Sequence, residues 1–196
     1  VQDASDAWTL HITDSDNLLG LPAGALARAA EDARAASLEG WQLSLDYPTY
    51  DAVLKHADSR DLREAMYRGW VTRGSDQGRD PKWDNSDNIE RILALRHEAA
   101  ALVGFDNYAD YSLATKMAGT VDEVLAFLTE LAGRSKKAAL REFEEIQSIS
   151  DAPLAAWDVS YYLEKLKQQK FAVSDETLRP YFPCDVVTRG LFSLAE

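Results

Sequence analysis

One cysteine, three histidines and 21 cationic residues set against 33 acidic ones are the scarcities of this 196-residue chain, and each closes off a class of function. With Cys184 alone, no disulfide can form within the chain, which fits a reducing compartment better than a secreted one. Cys184 follows Pro183 and has no histidine near it in sequence, so it lacks the base that activates a nucleophilic thiol. His11, His56 and His97 lie on distant segments with no second histidine or cysteine at ligand spacing. A composite metal site would need folding to gather them, and a lone histidine beside an apolar helical face is more often a packed residue with its ring nitrogens satisfied. The formal net charge of −12 argues against general binding to nucleic acid or anionic membrane, both of which require clustered cations. No run approaches the ~18 apolar residues of a membrane span, and no basic segment followed by a short apolar run and a cleavage site opens the chain. It begins Val1-Gln2 and stops at Glu196 inside the apolar pattern VVTRGLFSLAE, so a fragment of something longer is expected.

What is present is mostly helical periodicity. Leu21 to Ser37 is alanine-rich, with Pro22 where a first helical turn tolerates it. Trp41 to Tyr47, WQLSLDY, alternates apolar and polar residues as a half-buried strand does, and Asp6 to Ile12 alternates in the same way and is its expected partner. Helices are expected over Thr49–Ala57 and, capped by Ser59, over Arg60–Arg73, with Leu62, Met66, Tyr67 and Trp70 on one face. Gly74 to Asn88 has turn composition. Ile89–Val103 carries a stripe of Ile89, Ile92, Leu93, His97 and Ala100 and is stopped by Gly104. Asp106 is the expected cap of a short helix running through Lys116. Thr120 and Glu123 are spaced as a capping box for Val121–Ile149, whose Arg134–Lys137 stretch reads as a solvated face. Asp158 is the expected cap of a helix carrying Tyr161, Tyr162 and Leu166, and Pro183 opens the last one. The fold class is therefore mainly α, with one or two short β-strands, and no internal repeat is found.

Chemistry is harder to find. RHEAAALVGF, at Arg96–Phe105, opens like the HExxH zinc-peptidase helix, in which two histidines four apart hold one metal and the glutamate serves as base. The position four after His97 is Ala101, so the motif fails. GSDQG lacks the lysine and hydroxyl residue of a phosphate-binding loop. The acidic pairs Asp14 and Asp16, or Glu144 and Glu145, would act as acid and base only in a shared cleft that separates their pKa values. Five tryptophans (Trp8, Trp41, Trp70, Trp83, Trp157) and eight tyrosines are more often core than a peptide or sugar groove. No catalytic residue and no metal ligand is assigned, and the substrate-contacting residues are not identified.

The run LRHEAAALVGFDNYADYSLATKMAGTVDEVLAFLTELA, Leu95 to Ala132, resembles the oligopeptidase A and thimet oligopeptidase family of zinc metallopeptidases. DAWTLHIT, GWQLSLDYPTY, LREAMYRGWVTRGSDQG and AWDVSYYLEKLKQQKFAVSDETLRPYFP follow the same family in order. The resemblance implies that residues 1–196 are a helical fragment of a larger, clam-like protein with a deep channel. The parent would be a cytoplasmic enzyme that cleaves short peptides at zinc, held by an HExxH segment lying beyond Glu196. RHEAAALVGF is then a structural helix. Zinc is implied for the parent and not for this fragment, whose partners would be peptide substrates and the missing catalytic segment, with neither nucleic acid nor membrane. The fragment alone is expected to be inactive and, through apolar surface left uncovered, to self-associate. A free-standing helical interaction or peptide-binding module is the alternative.

Overall fold

The computed structural model describes residues 1–172 and 174–195, with Asp175 and Glu176 described in their backbone only. It is mainly α, with one two-stranded antiparallel sheet among the described residues. In chain order the elements are α1 (Gln2–Asp6), β1 (Thr9–Ile12), α2 (Ala23–Ala35), β2 (Trp41–Ser44), α3 (Tyr47–His56), α4 (Arg60–Thr72) and α5 (Ser86–Leu102). There follow α6 (Tyr108–Leu113), α7 (Val121–Ser148), α8 (Val159–Phe171), α9 (Asp175–Leu178) and α10 (Cys184–Ala195). Two compact units divide the chain, one made of Val1–Ala7 with Val71–Glu145, the other of Trp8–Trp70 with Ile146–Glu196.

The second unit holds a conventional core. β1 and β2 pair with Leu10 opposite Leu43 and Ile12 opposite Trp41, and α2 packs on β2. Leu18, Leu43, Leu45, Val53, Leu54, Leu62 and Met66 are buried together, with Trp41, Tyr50, Tyr67, Trp70 and Trp157 around them. The stripe expected on α4 is thus the inward one. Both strands are shorter than the alternation suggests. The WQLSLDY strand ends at Ser44 because Asp46 caps a helix: its carboxylate accepts the Thr49 amide at 3.1 Å and the Thr49 hydroxyl at 2.7 Å. Pro48 accordingly lies in the first turn of α3. Asp6 belongs to α1, and pairing starts only at Thr9.

In the first unit the local signals hold and the burial does not follow. Glu123 accepts the Gly119 and Thr120 amides at 2.9 and 3.3 Å, while Thr120 Oγ accepts the Glu123 amide at 3.2 Å, which makes the capping box. Gly104 takes φ +85°, the left-handed stop that a side chain would strain. The short helix α6 is capped by Asn107, which accepts the Asp110 amide at 3.0 Å, and not by Asp106; it ends at Leu113, short of Lys116. Ile89, Leu93, Leu95 and Leu102 of α5, Val103 just after it, and Leu125, Phe127, Leu128 and Leu131 of α7 are all at least half exposed. An apolar stripe of this kind on a helix is the face that ordinarily turns to an interior. The chain exposes 13910 Å², whereas a compact monomer of this mass exposes about 9,300 Å², and two separate globules of the units' sizes about 11,100 Å². At least ~2,800 Å² per chain is therefore surface that a folded protein ordinarily covers.

Candidate functional site

The most enclosed charges of the second unit form a clamp between α4 and α8. Arg63 stands on the apolar face of α4, one turn before Met66 and Tyr67, and folding carries it inward, to 2% exposure. Its Nη2 donates to Asp158 Oδ1 at 2.8 Å, and its Nη1 donates to the Ala57 and Asp58 carbonyls at 2.7 and 3.2 Å, at the C-terminal end of α3. The guanidinium also lies 4.1 Å from the ring centre of Tyr161. From the outer side Arg60 donates to Asp158 Oδ2 from Nε at 3.0 Å and from Nη2 at 2.8 Å, and the Ala155 amide donates to the same oxygen at 3.0 Å. Burial alone would raise the Asp158 carboxyl, yet the hydrogen bonds from Arg60 and Arg63 bring it below the usual carboxylate range. Asp158 therefore does not cap α8 through its side chain, as its position suggests; the carboxylate turns to the two arginines. Trp157 is flanked by Arg60 and Arg68 at 6.0 and 5.4 Å from its ring.

Tyr161 completes the clamp by donating to Asp58 Oδ1 at 2.7 Å. Burial first, then this hydrogen bond and the Asp58 charge, push its phenol up to about 12. The sign follows: the neutral phenol is favoured by folding, so its contribution is complete below the unfolded value near ~10 and is lost as pH rises toward the folded value. A spectrophotometric tyrosine titration is expected to include a late phase at about pH 12, and Tyr161→Phe should remove it.

Chemically the clamp is a closed structure. An ionised carboxylate shielded to 2% exposure and held by two guanidiniums offers neither a proton nor access. The open feature of this unit is a cleft of about 600 Å³ between the start of α2, α3 and the segment before α10, lined in part by Pro22, Arg28, Thr49, His56, Arg179 and Phe182. Of the residues singled out by sequence, only His56 reaches it. His11 is exposed on β1, its Nε2–H donating to the Glu39 carbonyl. His97 is exposed on α5 and Cys184 is exposed at the start of α10. Asp14 accepts the Asp16 amide at 3.0 Å, a turn-forming bond and not an acid–base pair. Glu144 and Glu145 are exposed on α7. The GSDQG loop spends its groups on itself: Gly78 and Gln77 amides donate to the Ser75 carbonyl and hydroxyl, and Asn85 closes the loop on the Gly74 carbonyl. Trp8, Trp41, Trp70 and Trp157 belong to the core or its rim. Among the described residues no group of three or more His, Cys, Asp or Glu could hold a metal ion, and no helix is long and apolar enough to cross a membrane.

Comparison with known proteins adds what the geometry does not carry. The model of peptidase family M3 matches residues 53–196. Oligopeptidase A of Escherichia coli (strain K12) is 48% identical over 202 residues, covering 100% of this chain and 30% of that protein. Oligopeptidase A of Haemophilus influenzae is 44% identical over 200 residues, covering 99% and 29%. The organellar oligopeptidase A, chloroplastic/mitochondrial, of Arabidopsis thaliana is 37% identical over 210 residues, covering 100% and 26%. The chain thus spans less than a third of the length of these curated relatives. Blocks matching from end to end, a helical fold and a family model over most of the sequence agree: the chain belongs to peptidase family M3.

Proposed function

We propose that these residues are a structural segment of a zinc-dependent oligopeptidase that hydrolyses short peptides, and that they build part of a helical wall around its substrate channel without supplying the catalytic groups. The observation that carries the reading is the joint one: 48% identity to an oligopeptidase A across the whole chain, in a structure whose described residues hold no metal-binding group. Zinc does not fit the residues present, so no chemical step is routed through it here. What this chain contributes is position. The Arg63–Asp158 clamp fixes α8 against α4 and the end of α3, a rigid support of the kind a channel wall needs. A cytoplasmic location and peptide substrates belong to the same reading, as does the clam-like parent whose remaining length covers the apolar helices of the first unit. The whole of residues 1–196 would then be one piece of that larger architecture.

Equilibrium dialysis of the chain against zinc at pH 7, with elemental analysis of the protein compartment, tests the non-catalytic part of this reading. Less than about 0.1 zinc per chain at micromolar free metal is expected, because one imidazole does not hold the ion tightly. One zinc per chain, lost in His97→Ala, would instead point to an active site complete within these residues.

A further inference from the structure

We draw no further inference here: the strongest candidate, the cleft of about 600 Å³ between the start of α2, α3 and the segment before α10 that Arg28, His56 and Arg179 help to line, carries nothing, because Arg28 is already paired with Asp46 and nothing in the structure shows whether a ligand or the remainder of a longer polypeptide covers it.

Discussion

Asp158→Ala is expected to destabilise the second unit by about 3–5 kcal/mol, the cost of stranding a buried guanidinium whose carboxylate has been removed. Arg63 would keep its bonds to the Ala57 and Asp58 carbonyls but would lose the buried carboxylate that neutralises it. That is a large share of the 5–15 kcal/mol typical of a whole domain. Urea unfolding followed by tryptophan fluorescence suits the measurement, because Trp8, Trp41, Trp70 and Trp157 all belong to this unit. Replacing the pair together, Arg63→Met with Asp158→Leu, should cost far less than either loss alone, since an apolar pair of similar volume needs no desolvation. The pH dependence carries a definite sign. A carboxyl held below its unfolded value gives its full contribution above about pH 4 and loses it as pH falls through the folded value. The gap between wild type and Asp158→Asn should therefore be constant at neutral pH and close under acid.

Met66→Ala is the second large effect. Met66 is fully enclosed at 0% exposure, within the cluster that joins α4 to both strands and α3, and truncation leaves a cavity that a close-packed core fills only in part. A loss of about 2–5 kcal/mol is expected from the same urea titration. Leu194→Ala provides the contrast: at 88% exposure it should change stability by no more than about 0.5 kcal/mol.

Much of the fold can be read from the residues because it is set locally. Ser59 and the pair Thr120 and Glu123 cap the helices they precede, Gly104 adopts the left-handed stop, and the alternation of WQLSLDY pairs with that of TLHI. The boundaries slip where a side chain has two local uses. Asp46 is polar in an alternating run and equally a helix cap; once it caps, the strand must stop before it. Asp158 stands at a cap position and instead turns to Arg60 and Arg63, because two guanidiniums outweigh a single amide. That clamp is the part of the site that sequence conceals. A lone arginine one turn from Met66 and Tyr67, on the inward face of α4, is the available signal, since a buried arginine needs a counter-ion. Its partner lies 95 residues away, and no local pattern names it. Exposure failed in the other direction. The stripe Ile89, Ile92, Leu93 of α5 predicts burial and stands exposed, because periodicity identifies the face that wants covering and cannot say whether the cover lies within the same 196 residues.

If these residues serve an M3 peptidase as a structural, non-catalytic segment, they should replace their counterpart in a relative. The 202-residue stretch of Escherichia coli oligopeptidase A that aligns with this chain is replaced by residues 1–196, and hydrolysis of a short quenched-fluorescence peptide is measured for the chimera and for the chain alone. The chimera is expected to keep kcat/KM within about tenfold of the parent, a loss of no more than ~1.4 kcal/mol in transition-state stabilisation, and the chain alone to cleave nothing above buffer. A folded chimera without activity, or a chain that cleaves the peptide by itself, would contradict that role.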